Sequence, residues 1–266
     1  MASKIVLITG ANTGIGFQIV RALCSSNQAY SIIVGGRSTL KVQHAIRAIE
    51  SEFPSTASQL FPLEIDIEHD DQIQRAFSEV QAKFGRLDAL VNNAGASFDL
   101  DPTTGTMTER DMWNKTWNVN VVGTHMLTST FVPLLLQSTD PRVLFISSGT
   151  SSLTGTDNRA LAINQFPAKG WPKAPGFSFP AYRSSKCGLN MVMREWDRIL
   201  KEDGVKVWGI APGFLATGLA GVGEEELKKR GAGDPAVAGP FIRAVLEGEW
   251  DTDVGRVVSR NGVQPW

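Results

Sequence analysis

The chain has 266 residues, with 26 basic against 27 acidic side chains. A formal charge so near zero offers nothing to a nucleic acid or an anionic membrane surface, and a chain this long buries a sizeable core without disulfide or metal staples. Cys24 and Cys187 are expected as reduced, buried thiols; His44, His69 and His125 lack ligand spacing, so no metal site is expected.

Short β-branched runs alternate with longer amphipathic stretches. "KIVLIT" (4–9), "SIIVG" (31–35), "LFPLEI" (60–65), "LDALVN" (87–92), "RVLFIS" (142–147) and "VKVWGI" (205–210) read as strands. They are nearly continuous apolar runs, as a parallel sheet covered on both faces requires. Helical periodicity fills 15–26, 39–52, 70–84, 108–137 and 181–202, and a last helix near 235–247 precedes the short strand "GRVVS". This alternation predicts a doubly wound α/β parallel sheet of Rossmann type, as a single domain over 1–266. Two segments break the rhythm: an insertion at 149–180, rich in Gly, Pro, Ser and Thr but carrying Phe166, Trp171, Phe177 and Phe179, and a loop at 211–234 containing "EEELKKR", expected to be mobile. Long ordered loops in a compact domain are usually functional, often as lids over a substrate. "IVLITG" is too short for a secretory core, and "FVPLLL", interrupted by Pro133, falls far below a membrane span. A soluble cytoplasmic protein is expected.

The first strand runs into "TGANTGIG" (9–16), which opens the first helix. Glycines there permit a tight turn and close backbone approach, while the helix N-terminus turns free N–H groups toward a pyrophosphate. Gly10, Asn12, Thr13, Gly14, Ile15 and Gly16 are the expected contacts. An NAD site places an acid about twenty residues further on, to hold the ribose 2′-hydroxyl. Here no Asp or Glu precedes Glu50; Arg37 and Ser38 end the second strand, with Lys41 one turn on. A guanidinium suits a phosphate dianion, so NADP(H) is expected. The alternative is an ordinary solvated Arg37.

Tyr182, one of two tyrosines, has Lys186 four residues later on the same helical face. A phenol is a usable acid for the alkoxide formed when a ketone accepts hydride, and an ammonium beside it is expected to draw its pKa down toward working pH.

"TGANTGIG", "NNAG" (92–95), "NVNVVGT" (118–124), "ISS" (146–148), "YRSSK" (182–186) and "PGFLAT" (212–217) occur in the order of the short-chain dehydrogenase/reductase family, which the chain resembles from residue 5 to about 217. The resemblance implies a catalytic tetrad of Asn120, Ser148, Tyr182 and Lys186, with Asn120 holding a water that links Lys186 to solvent. It also implies Asp66 and Ile67 beside the adenine, and Asn93, Ala94 and Gly95 along the cofactor. Pro212, Gly213, Leu215 and Thr217 would lie over the nicotinamide. Ser148 and Tyr182 stand 34 positions apart, further than in many members. Similar insertions occur in carbonyl-reductase-like members, some of them monomers, so homo-oligomer and monomer both stay open.

The expected activity is NADPH-dependent reduction of a ketone or aldehyde of a small apolar or aromatic molecule, in secondary metabolism or detoxification. Phe98, Leu153, Trp171, Phe214 and Leu219 are candidates for an apolar wall, or equally for ordinary packing; Trp113 and Trp117 read as core or interface. Two alternatives stand beside this: a redox-neutral cyclase or isomerase on the same fold, and a catalytically silent nucleotide sensor. An extended epimerase-type enzyme is disfavoured by the short chain after Thr217.

Overall fold

The computed structural model describes residues 3–173, 178–219 and 221–266. Its strands are β1 (Lys4–Ile8), β2 (Tyr30–Gly36), β3 (Gln59–Glu64), β4 (Ala89–Asn92), β5 (Arg142–Ile146), β6 (Lys206–Ala211), β7 (Val257–Ser259) and β8 (Gly262–Val263). They form one sheet in the order β3-β2-β1-β4-β5-β6-β7-β8. Every pairing is parallel except that of β8, which closes a short antiparallel hairpin on β7.

The apolar runs explain the layers. Successive strand side chains point to opposite faces, so Leu7, Ile33, Val143, Phe145 and Val207 enter one core while Val6, Ile8, Val34, Leu144 and Trp208 enter another. The first core lies under α3 (Asp70–Phe84), α6 (Thr124–Leu135) and α7 (Pro180–Ile199), through residues such as Ile73, Phe131 and Met193. The second lies under α1 (Gly14–Cys24), α2 (Thr39–Glu52) and α9 (Ala238–Glu247), through Ile19, Ile46 and Ile242. The doubly wound sheet is thus observed as expected. The order reverses at β1 and β4, and ligand crevices of open α/β sheets form at the carboxyl ends of strands at such a switch.

Two expectations need correction. The helix expected over 108–137 is two helices, α5 (Glu109–Trp117) and α6, joined by a π-helical turn at Asn118–Gly123. Periodicity hides such a turn, because one extra residue per turn leaves the apolar stripe almost continuous. Cys187 is half-buried rather than buried, whereas Cys24 is buried and its thiol is pushed up to about 11 by burial. The 211–234 loop is tied at its neck: Leu215 and Gly233 form a parallel bridge, with Ala216 N–H donating to Gly233 O at 2.9 Å and Gly233 N–H to Phe214 O at 2.9 Å. It carries the short α8 (Glu224–Lys229).

The 149–180 stretch contains three 3-10 turns, at Gly149–Ser151, Thr154–Asp157 and Ala162–Asn164. Arg183 of α7 fastens it, donating to Thr150 O, Ile163 O and Asn164 Oδ1. Phe177 lies outside the described residues. Trp117 packs on α7 at Gly188, where a methyl would meet its ring at 2.7 Å, in keeping with a packing role. Among the described residues, no helix is long and apolar enough to cross a membrane and no acidic, His or Cys group gathers as a metal site.

Candidate active site

The loop after β1 is tied to the loop after β4. Thr9 is buried, and its hydroxyl oxygen accepts the backbone N–H groups of Asn93 at 3.1 Å and Ala94 at 3.0 Å. Asn93 Nδ2 donates back to Thr9 O at 2.7 Å. Gly10 and Gly14 have φ of 62° and 55°, in the left-handed region. A methyl at Gly16 would sit 2.5 Å from Asn93 Nδ2 and 2.6 Å from Gly10 O, so only glycine lets α1 start this close. The first turn of α1 holds no acid, and Thr13 at its N-cap makes no side-chain cap bond. Its N–H groups are therefore available to an anion. A cavity of about 310 Å³ opens there, lined by Asn12, Thr13, Gly14, Gln18 and Thr217, with Glu224 the one acid. The cradle fits a dinucleotide pyrophosphate.

The remaining expected cofactor contacts divide. Arg37 is exposed at the end of β2, where a ribose phosphate would be read, while Ser38 Oγ already accepts Lys41 N–H at 3.4 Å as the cap of α2. Ile15 is packed against the α1 core and Ile67 is buried; Asp66 Oδ1 accepts Glu68 N–H at 3.1 Å. Pro212 is buried and Gly213 exposed. The Leu215 side chain is part of the core beneath α1 and α9, so it reaches a nicotinamide only through its backbone. Thr217 faces Gly14, where a methyl would lie 3.8 Å from its Cβ.

The candidate reacting residues gather beside this cradle. Asn120 sits in the π-helical turn, wholly buried. Its Oδ1 accepts Ala96 N–H at 2.9 Å, and its Nδ2 donates to Ala96 O at 2.8 Å and Ser185 Oγ at 2.9 Å. Both amide hydrogens are thus spent on protein, and the side chain clamps the segment that follows β4. Gly95 leaves the space this needs: a methyl there would be 3.1 Å from Asn120 Oδ1 and 3.3 Å from Lys186 Nζ. Lys186 is 3% exposed, and its Nζ donates to Ile146 O at 2.7 Å. Burial lowers its pKa to about 8. Nζ stands 5.8 Å from the centroid of the Tyr182 ring.

Tyr182 departs from expectation. Burial pushes its phenol up to about 12, the hydrogen bond with Ser148 pulls it back, and the Asp99 carboxylate adds to the rise. The expected drop toward working pH is not what the structure shows, because loss of solvation dominates the phenol, and burial also weakens the hold of Lys186 on its own proton. Tyr182 is held as a neutral acid. Ser148 Oγ also lies 2.9 Å from Thr150 Oγ1, whereas Ser147 is bonded to Asn190 and Ser151 and is structural.

The candidate wall residues divide. Leu153 lines a cavity of about 380 Å³ between the insertion and α7, with Arg159, Phe166, Arg183 and Cys187, but Phe98, Trp171, Phe214 and Leu219 do not line it. Trp171 is 88% exposed, and Phe98 lies under Lys115 at 4.9 Å. Sequence reasoning also passed over Thr9, Ser185 and Asp99. Thr9 stood inside the quoted glycine motif. For Asp99 the signal was indirect: α7 begins at Pro180 behind Phe179, which offers no capping side chain.

A doubly wound sheet with a glycine cradle and a Ser–Tyr–Lys group at the carboxyl ends of its strands defines an α/β dehydrogenase. Residues 4–160 and 170–228 match the family model described as short chain dehydrogenase, and the chain belongs to that family of oxidoreductases. It is 47% identical over 271 residues to short-chain dehydrogenase/reductase eupG of Phoma sp, covering 98% of this chain and 97% of that one. It is 43% identical to short-chain dehydrogenase/reductase tropE of Talaromyces stipitatus, covering 99% and 98%. Its fold is similar to the NADPH-bound carbonyl reductase from chicken fatty liver, with a TM-score of 0.78 over the whole of both chains at 22% identity.

Proposed function

We propose that this chain reduces the ketone or aldehyde group of a small apolar or aromatic molecule with NADPH. The observation that carries the reading is the placement of Tyr182 and Lys186 on one face of α7, the lysine buried, bonded to Ile146 O and 5.8 Å from the phenol ring, beside a cradle suited to a dinucleotide. Reduced nicotinamide supplies the hydride when bound. Gly10, Asn12, Thr13, Gly14, Ile15 and Gly16 would hold the diphosphate end, and Asn93 to Gly95 with Thr217 the remainder. Arg37 in place of an acid favours a ribose 2′-phosphate.

Ser148 orients the substrate carbonyl by donating to its oxygen. As the carbonyl carbon gains hydride, the oxygen becomes an alkoxide and takes the proton of Tyr182 Oη. Lys186, with a pKa near neutrality, exchanges protons readily and lies close enough to favour the transient tyrosinate until it is reprotonated. Asn120 keeps the cofactor-lining segment in register, its side-chain amide committed to Ala96 and Ser185 rather than to the water expected from the resemblance. A soluble cytoplasmic enzyme acting on small molecules, in secondary metabolism, fits this chemistry; oligomer and monomer are equally compatible.

The test follows NADPH and NADH absorbance with a panel of aromatic diketones, quinones and cyclic ketones, alongside Tyr182→Phe. NADPH is expected to be consumed well ahead of NADH, with kcat falling about 10²–10⁴-fold in the variant. Preference for NADH overturns the Arg37 assignment. Product formed without loss of NADPH overturns reduction itself in favour of a redox-neutral step.

A further inference from the structure

The helix that carries Tyr182 and Lys186 begins without a cap of its own: Pro180 is its first residue, and Phe179 before it makes no side-chain cap bond. The first turn of such a helix leaves N–H donors that need partners, above all when buried. They are met from another part of the chain. Asp99, in the loop after β4, is 9% exposed, and its Oδ1 accepts Ala181 N–H at 2.8 Å while Oδ2 accepts Tyr182 N–H at 3.1 Å. Ser97 Oγ donates to Oδ2 at 3.0 Å and fixes the carboxylate. The same loop holds Asn93 to Gly95, expected along the cofactor, and Ala96, which Asn120 clamps through both backbone atoms.

We propose that Asp99 is a positioning residue of the reducing site: its carboxylate caps the catalytic helix from the cofactor-lining loop and locks Tyr182 to that loop. The inference rests on Tyr182 being the proton donor. Capping by a remote carboxylate does two things that a local serine cap would not. It couples the phenol's position to the wall of the nicotinamide pocket, so that donor and hydride source share one frame. It also places a negative charge near the phenol, which disfavours tyrosinate and keeps the proton on Oη until an alkoxide calls for it. Other charged groups on the surrounding elements are Lys186 and Arg183 on α7, Lys115 on α5 over the Phe98 ring, and Arg159 on the insertion over the Phe166 ring. Arg183 is committed to Thr150, Ile163 and Asn164. Asp99 is the carboxylate that faces Tyr182 directly, through the backbone N–H groups of Ala181 and Tyr182.

The experiment is steady-state reduction by Asp99→Asn across pH, with NADPH as cofactor and Tyr182→Phe as the reference. Asparagine keeps the shape and one acceptor but removes the charge. The expected result is kcat down about tenfold with KM within about twofold, and the alkaline limb of kcat/KM moved to lower pH by about half a unit to one unit. The direction follows because reduction needs the protonated phenol, and removing the carboxylate lets the phenol ionise earlier. A drop in kcat that tracks lost thermal stability while the limb stays put overturns the proposal and leaves Asp99 a structural cap. Unchanged kcat and limb overturn it too. Where Asp99→Asn fails to fold, Ser97→Ala, which keeps the carboxylate but frees one oxygen, is expected to lower kcat about threefold at unchanged stability, and full activity overturns the proposal. Full activity in Tyr182→Phe instead defeats the functional reading itself, so the two failures are told apart.

Discussion

The two ends of β5 bury a cation each, and treat it oppositely. At the amino end, Arg142 is 3% exposed and fully compensated. Its guanidinium donates to Asp140 at 3.0 and 3.2 Å, to Asp251 at 2.6 and 3.0 Å, and to Val245 O at 3.0 Å. Lys206 joins both carboxylates, and Lys4 reaches Asp140. These partners outweigh burial and raise the arginine pKa. At the carboxyl end, Lys186 is equally buried but meets only the carbonyl oxygen of Ile146, and its pKa falls. No carboxylate pairs with it among the described residues. A charge that is paired stays fixed, whereas one left unpaired titrates near working pH and can pass protons. The contrast separates the end of the sheet that holds the fold from the end that does chemistry.

Breaking the compensated end carries the largest expected cost to stability. Arg142→Met removes the shared partner of two carboxylates and leaves Val245 O without its donor, so unfolding stability is expected to fall by about 3 kcal/mol. Chemical denaturation reads this directly. The protein that remains folded should keep its kcat, since the cluster lies a strand's length from Ser148; a large loss of kcat at unchanged stability would break the division between the two ends.

The uncompensated end predicts the opposite sign. Burial lowers Lys186 to about 8 against an ordinary value of 10.5. Below pH 8 the folded protein carries an ammonium it disfavours, and that cost disappears as pH rises from about 8 to 10.5, where the unfolded chain is still protonated and the folded one is not. Lys186→Met is therefore expected to abolish reduction while stabilising the protein at pH 7 by about 2 kcal/mol, the shift being partly offset by the lost bond to Ile146 O. The gain should shrink to nothing as pH passes about 10.5. A variant less stable than the parent at pH 7 would show that Lys186 is held for structure.

How much of this was legible beforehand differs between the same two ends. The strands were readable because buried parallel strands are continuous apolar runs, and "RVLFIS" differs from β5 by one residue at its end. The glycine loop and the Tyr182–Lys186 pair stand out in the sequence because their spacing is dictated by short-range geometry, a strand, a turn and one helical face, whereas Ser148 and Asn120 came from the family resemblance. What escaped was set by contacts distant in sequence. Asp99 reaches Tyr182 across 83 positions, and nothing local marks it. The direction of the Tyr182 shift was misread for the same reason, since lysine four residues away is visible in the sequence and burial is not. The Arg142 cluster gathers residues 4, 140, 142, 206 and 251, and no motif announces it.

The smallest effect sharpens the compensated end from the acid side. For Asp140, burial works to raise the pKa, but hydrogen bonds from Lys206 and Arg142 outweigh it and hold the carboxyl at about 2, against an ordinary 3.8. A carboxylate depressed in this way stabilises the fold fully above its unfolded value near 4 and loses that contribution as pH falls through about 2. Its side chain is 34% exposed, so solvent screens part of the interaction and the share at pH 7 is about 1 kcal/mol. Asp140→Asn should therefore unfold more easily than the parent at pH 7, and the two denaturation curves should converge as pH approaches 2. Convergence already near pH 4 would mean that Asp140 is little perturbed and that Asp251 alone compensates Arg142. Curves that never separate would place Lys4 and Asp140 in solvent, leaving Asp251, with Arg142 and Lys206, as the whole of the anchoring contact.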